Sequence, residues 1–206
     1  VPEATPRRTA RSRDAILRAA LDLCAEQGYA TVTMEAIAAR ARVGKPTVYR
    51  WWPSKNAVFL DTLQESWAES VVPLPDTGDI ITDLRNWLHR FVDTLNDPLL
   101  RPIIVGILGA AQHDPALKAA IRERFHVPFR AANQVRVIAA QEAGQLPRLA
   151  PELLEDSLVA PLWYRLLVSD EPFDHADADA ILAHALHRNC GGPSPGERAW
   201  GVSDGS

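Results

Sequence analysis

The sequence predicts an all-α protein, a small N-terminal domain of three helices joined to a larger helical body. Three observations carry the prediction. Apolar residues recur every three to four positions through most of the chain, as one face of an α-helix requires. No run of strict alternation backed by β-branched residues interrupts them. The breaks carry helix-start and helix-stop chemistry. Asp97-Pro98 and Asp114-Pro115 each place an N-cap residue before the one residue that loses nothing at the first helical position.

Taken in order, Ile16, Ala20, Leu23, Cys24 and Gln27 share a helical spacing that Gly28 ends, giving a first helix near 9–27. Thr33 is a good N-cap for a short second helix holding Met34, Ile37, Ala38 and Ala41. Arg42-Val43-Gly44 makes a turn, and Lys45 and Pro46 open a third helix. Pro53-Ser54-Lys55 ends it and starts a fourth, running to about Val71. The stretch "VVPLPDTGD" (71–79) is the clearest boundary in the chain. Helices are expected beyond it at about 79–96, 98–112, 115–143, 151–168 and 174–189, with kinks at Pro128 and Pro161. The closing "GGPSPGERAWGVSDGS" has loop composition. The resulting division is a basic arm (1–8), a helix-turn-helix domain (9–55), a helical regulatory and dimerisation domain (56–190) and a flexible tail (191–206).

Composition narrows the classes. Of 206 residues, 47% are hydrophobic and 23% charged, enough to bury a core and too apolar for a disordered chain. No run approaches the ~18 apolar residues of a membrane helix, and the basic N-terminus lacks the apolar run of a secretory signal. The two cysteines, Cys24 and Cys190, both lie in helical patterns, so a reduced, cytoplasmic protein is expected. The net charge of −4 hides an asymmetry. Residues 1–55 carry ten basic and five acidic side chains, a net +5, against twelve and twenty-one (−9) in the remainder. A basic segment on an acidic body suggests a local contact with a polyanion.

The stretch Val43–Lys55, "VGKPTVYRWWPSK", sets two tryptophans among three basic residues. At about 100° per residue, Val48 and Trp52 fall on one face, with Pro46, Thr47 and Arg50 opposite. Trp52 is therefore expected in a small core with Val48, Val43 and Ile37, and Trp51 at the edge of the outward face. Helix, short turn, helix, with a third helix in front, is the helix-turn-helix arrangement, and one α-helix fits the DNA major groove. Arg50 is the side chain best able to read a guanine edge, and Pro46 and Thr47 can meet thymine methyls. Lys45 can reach a phosphate or a guanine edge, and Tyr49, Trp51 and Lys55 are expected on phosphates or sugars. The alternative is a surface helix whose aromatics merely pack.

Residues 9–57 resemble the DNA-binding domain of the TetR family of transcriptional regulators. The matching stretches are "ILRAALDLCAEQGY" (16–29) and "TVTMEAIAARARVGKPTVYRWWPSK" (31–55), followed by Asn56. The family pattern is a first helix ending in a glycine-aromatic pair, a "T-x-x-x-I-A" second helix, a turn, "T-[LV]-Y", and "S-K" opening helix four. The resemblance implies DNA contacts at Thr33, Met34, Lys45, Pro46, Thr47, Tyr49, Arg50, Trp51 and Lys55. Two positions depart from the pattern. Arg42 stands where the family usually has glycine, and there it either adds a phosphate contact or caps the second helix. Gly44 stands where serine or glutamate is frequent, a change that costs only a few tenths of a kcal/mol.

The body is similar, through "PLWYRLLVSDEP" (161–172), to an actinobacterial subgroup of TetR C-terminal domains. In the family this domain pairs two subunits through its last two long helices and often binds a small molecule, so the resemblance implies a homodimer on a palindromic operator in double-stranded DNA. Leu158, Leu162, Leu166, Leu167, Ile181, Leu182, Ala185 and Leu186 are the candidates for the seam. Two recognition helices about 34–36 Å apart would then read a palindrome. Candidates for a pocket are the apolar Trp87, Phe91, Ile104, Leu108, Phe125, Phe129, Trp163 and Tyr164. Polar candidates are Gln112, His126, Arg130, Asn133 and Gln134, so a small apolar or amphipathic ligand is expected.

No catalytic constellation accompanies these features: there is no G-x-S-x-G, Walker A loop or glycine-rich dinucleotide turn. His184 and His187 are two ligands at most, which do not make a zinc site. The expectation is a regulator that is not an enzyme and has no metal or cofactor. It is a repressor released by its ligand or, alternatively, a DNA-binding regulator without a ligand, controlled by a protein partner or by its abundance. A helical ligand-binding protein that does not touch DNA leaves the +5 segment without a purpose.

Overall fold

Several helix boundaries carry the cap or stop that the sequence singled out, among them Gly28, Thr33 and Asp114. The computed structural model describes residues 6–70 and 73–189, and among them there are ten α-helices, two π-helical turns and no strand. Helix α1 (Pro6–Gln27) ends at Gly28, whose left-handed φ of +81° lets its N–H donate to the Cys24 carbonyl at 2.9 Å. Its start at Pro6 takes residues 6–8 of the expected arm into the helix. The expected tail and Cys190 lie outside the described residues.

Thr33 Oγ1 accepts from Ala36 N–H at 3.1 Å and caps α2 (Met34–Arg40). This helix closes in a Schellman turn: Val43 N–H donates to the Ala38 carbonyl at 3.0 Å and Arg42 N–H to that of Ala39 at 3.1 Å. The turn forces Arg42 to φ +55°, the left-handed region. That explains the usual glycine here and assigns Arg42 the terminating position of α2. Helix α3 (Lys45–Tyr49) begins with Pro46 in its first turn, and α4 (Lys55–Ser70) follows. Helix α1 packs on α2 and α4, and α3 lies on α2, around Ile16, Val32, Ile37, Val48, Trp52, Val58 and Phe59.

In the body, Asp79 caps α5 (Ile80–Asn96), which buries Trp87, Leu88, Phe91 and Leu95 on one face. Helix α6 (Arg101–Ala111) starts three residues later than expected. The Asp97 carboxylate takes the N–H groups of Leu99 (2.8 Å) and Leu100 (3.0 Å), so Asp97-Pro98 opens a turn before the helix. The helix expected over 115–143 is three pieces: α7 (Pro115–Ile121), a π-turn (Arg122–His126) and α8 (Val127–Glu142). Pro128 has no N–H, and its ring would collide with the carbonyl four residues back; the widened turn before it makes room. Helix α9 (Pro151–Tyr164) carries Pro161 and passes into a second π-turn (Arg165–Ser169), and α10 (His175–Asn189) ends the described chain.

A buried ion pair, Arg136–Asp83 at 2.8 Å, holds α8 to α5. The Thr77 hydroxyl donates to the same carboxylate at 2.6 Å, which fixes the connector ahead of α5. Burial alone would push the Asp83 carboxyl up, but the hydrogen bonds from Thr77 and Arg136 hold it below its ordinary range. Among the described residues no helix is long and apolar enough to cross a membrane.

Candidate functional site

Two sites emerge, the outward face of α3 and a cavity in the body. Val48 and Trp52 are buried, as their face predicts, and Trp52 Nε1 donates to Asp61 Oδ2 on α4 at 2.9 Å. Trp51 is half-buried with its ring 5.4 Å from that of Trp52, leaving one edge outward. Pro46, Tyr49 and Arg50 are exposed and Thr47 half-exposed. Lys45 is exposed, with only a solvent-facing contact to Glu35 at 3.5 Å, which competes weakly with a phosphate. Thr33 is exposed beside its cap bond, and the Arg42 side chain is exposed too.

Two of the DNA candidates are placed differently. Met34 is 7% exposed and packs in the core, so its side chain has no surface to offer DNA. Lys55 Nζ donates to the carbonyls of Tyr29 (3.0 Å), Ala30 (3.0 Å) and Val32 (3.2 Å) and lies 5.0 Å from the Tyr29 ring centre. All three ammonium protons are spent on the α1–α2 turn, which makes Lys55 a clamp that holds the turn to the start of α4. The Tyr29 hydroxyl adds to the clamp by donating to Asn56 Oδ1 at 2.7 Å, and burial pushes its phenol up to about 12. Cys24 lies behind, buried, its thiol pushed up to about 11 by that burial and hence unreactive at neutral pH.

The second site is a cavity of about 250 Å³ in the body. Seven of the expected residues line it: Phe91, Ile104, Leu108, Phe125, His126, Phe129 and Trp163. Leu63, Ile107, Ile121, Glu155 and Val159 complete the wall and were not among the candidates. The four apolar additions were legible only as members of a core. Glu155 had a signal, a carboxylate on an apolar face between Leu154 and Leu158. Trp87 and Asn133 face a separate void of about 10 Å³ that Glu155 also borders. Arg130 is ion-paired to Asp156. Gln112 is exposed and folds back on the Leu108 carbonyl, and Tyr164 is 60% exposed, so neither lines the cavity.

The seam residues also need correction. Leu158, Leu162, Leu166, Leu182 and Ala185 are at most 4% exposed within the single chain, so they have no surface to lend a partner. Ile181 and Leu186 are partly buried against the same core. Helical spacing showed which residues are apolar but not which of two apolar faces looks inward. The outward stripe of α9 and its π-turn is Leu153, Ser157, Ala160, Tyr164, Leu167 and Val168, and that of α10 is Ala176, Ala180, Ala183, His184 and His187.

Contacts join the two sites. Helix α6 lines the cavity through Ile104, Ile107 and Leu108, and on another side it receives the Tyr29 ring at Gly106. A Cβ there would lie 2.2 Å from Tyr29 Cγ, so only glycine admits this seat. Asp61 makes the second link: besides Trp52 it binds Arg124 of the first π-turn at 2.7 Å, beside the wall residues Phe125 and His126. Among the described residues no group of three or more His, Cys, Asp or Glu side chains could hold a metal ion.

Comparison with known proteins places both halves. Residues 16–62 match the model for bacterial regulatory proteins of the tetR family, and residues 74–185 match that for the tetracyclin repressor-like C-terminal domain. The chain is 36% identical over 174 residues to the uncharacterized HTH-type transcriptional regulator YdeS of Bacillus subtilis, covering 82% of this chain and 85% of that protein. It is 32% identical over 181 residues to the DNA-binding transcriptional repressor TetR of Mycobacteroides abscessus, covering 84% and 90%. Among solved structures, the TetR family transcription regulator SCO0332 superposes with a TM-score of 0.70 at 34% identity, covering 85% of this chain and 97% of that one. MexZ of Pseudomonas aeruginosa shares the fold, with a TM-score of 0.65 at 21% identity, covering 88% and 96%.

Proposed function

The chain belongs to the TetR family of DNA-binding transcriptional regulators, and from that premise we propose that it is a homodimeric repressor, in the cytoplasm, whose grip on a palindromic operator is released by a small molecule. Helix α3 reads the major groove. Arg50 takes a base edge, Pro46 and Thr47 meet thymine methyls, and Tyr49, Lys45 and the Trp51 indole hold the backbone. Two chains meet through the outward stripes of α9 and α10, where Leu153, Tyr164, Leu167 and Val168 are between 45% and 67% exposed. That apolar patch is what a partner subunit would cover. It would also set two α3 helices at the spacing of successive major grooves.

The observation that carries the release mechanism is the double role of α6. A ligand against Ile104, Ile107 and Leu108 pushes on the helix whose Gly106 seats Tyr29, and Tyr29 belongs to the turn clamped by Lys55. The π-turn adds a second lever, since moving Phe125 and His126 pulls Arg124 on the Asp61 that orients Trp52. Binding then favours a state in which the two α3 helices are wrongly spaced. Support from relatives is direct for DNA binding and repression in one case, the repressor from Mycobacteroides abscessus.

The experiment is selection of bound sequences from a random duplex pool, followed by the mass of the complex on the winner. A palindromic winner carrying an even number of chains is expected. No enriched sequence, with weak and steeply salt-dependent binding, would mean that α3 holds DNA without reading it.

A further inference from the structure

The cavity holds one feature that an apolar effector does not need. Glu155 stands on α9 between Leu154 and Leu158, both fully buried. It is 9% exposed, lines the cavity, and its Oε2 has no hydrogen-bond partner. An unpaired buried carboxylate is costly and is kept where something compensates it. The Arg130 guanidinium, whose charge reaches Glu155, does so only in part. Arg130 is ion-paired to Asp156, the residue next to Glu155, through one terminal nitrogen, and its Nε, like Glu155 Oε2, is left without a partner. Burial pushes the Glu155 carboxyl up, Arg130 pulling it back only in part. Apart from His126, which is exposed, Glu155 is the only ionisable residue of the wall.

The rest of the wall fits a cation as well. Phe91, Phe125, Phe129 and Trp163 present ring surfaces, whose π-faces attract positive charge. Within the wall the Trp163 ring meets Phe91 edge-on at 5.6 Å, and Trp87 backs Phe91 at 6.0 Å from the adjoining void. A volume of about 250 Å³ exceeds the ~150 Å³ in which a protein cavity holds benzene.

We propose that the effector is a lipophilic amine, with an aromatic body among these rings and an ammonium group donating to Glu155. This rests on the reading of the cavity as the effector site. The ammonium supplies the missing positive charge, restores the carboxylate and gives Oε2 a charge-assisted hydrogen bond. A carboxylate ligand would meet Glu155 as a like charge, and a neutral alcohol would leave its charge uncompensated.

The test is calorimetric titration of the full chain with naphthylmethylamine, naphthylmethanol and naphthoate, which share one body. The amine should bind about tenfold or more tighter than the alcohol, and naphthoate weakest. Glu155→Gln should bring the amine down to the level of the alcohol and leave the alcohol unchanged, which also shows that the variant is folded. Glu155→Asp should retain the order. Equal binding of amine and alcohol to the unaltered chain overturns the proposal, as does a preference that survives Glu155→Gln. Tightest binding of naphthoate overturns it in favour of Arg130 or His126 as the anchor. If the three bind without preference yet displace operator DNA, this inference fails and the repressor reading stands; if none binds, both fail at the cavity.

Discussion

The two halves of the chain treat their buried polar atoms differently. In the DNA-reading half the polar atoms that hold the fold are matched: Trp52 Nε1 on Asp61, the Tyr29 hydroxyl on Asn56, and Lys55 on three carbonyls. Among the described residues, the buried side-chain atoms without a partner are Trp87 Nε1, Arg130 Nε, Asn133 Nδ2, Glu155 Oε2 and Ser169 Oγ, all in the body. Three of the five residues, Trp87, Asn133 and Glu155, border the small void between α5, α8 and α9, and Glu155 also lines the larger cavity. One half is therefore matched within itself, while the other keeps buried polar atoms without partners, as the proposed effector site would require. A sensor needs that imbalance, because a ligand can shift an equilibrium only by contacts that one state leaves unmade.

The largest test strikes the matched half. Trp52→Ala removes a 3% exposed indole and its bond to Asp61, and should cost about 3–5 kcal/mol, read as a fall in the midpoint of denaturant unfolding. A cost near zero would mean that the N-terminal core does not depend on it. Next is the contact between the halves. Gly106→Ala sets a methyl 2.2 Å from the Tyr29 ring, so something must move, at about 1–3 kcal/mol of stability. Operator affinity should fall about tenfold with it, as if a ligand had pushed α6. A variant that lost stability but kept full operator affinity would separate α6 from DNA binding.

Smaller effects sharpen the contrast. Arg42→Gly relieves a left-handed φ of +55° and should stabilise the chain by about 1 kcal/mol, seen as a raised melting temperature. Any accompanying loss of operator affinity would be the contribution of the exposed guanidinium to a phosphate. Glu155→Gln should raise the stability of the ligand-free chain by about 1 kcal/mol at neutral pH. The sign follows from burial, which lifts the folded pKa of this carboxyl above its unfolded value. The native state keeps its proton longer, so stability falls as pH rises from the unfolded pKa through the folded one. Below the unfolded pKa the two proteins should melt alike.

Much of this was legible in the sequence, for reasons that also mark where legibility stopped. Caps and breakers act locally, so Thr33, Gly28, Asp114 and Pro128 announce helix ends and kinks without knowledge of the fold. Trp52 and Trp51 separate by rotation along one helix, which needs only the 3.6-residue period. Five of the seam candidates are covered by the chain itself, because periodicity does not say which apolar positions of α9 and α10 turn inward. Lys55 was read as a phosphate ligand because a basic side chain at a helix start looks like one. Its three carbonyl acceptors come from residues 23 to 26 positions earlier and appear only when α1 and α4 meet. Glu155 was missed despite its place on an apolar face between Leu154 and Leu158, since an acidic residue on a helix reads as solvated until its neighbours close over it.

The central claim is that filling the cavity loosens the hold on DNA, and it can be tested without knowing the effector. Val159 lines the cavity from α9 and is not among the atoms that meet Gly106. Val159→Trp occupies part of the cavity with a side chain that touches nothing in the DNA-reading face. The measurement is the affinity of this variant for the selected operator, beside its melting temperature. The account predicts about tenfold weaker operator binding with no loss of thermal stability. Unchanged operator affinity in a folded protein with its cavity filled would contradict it.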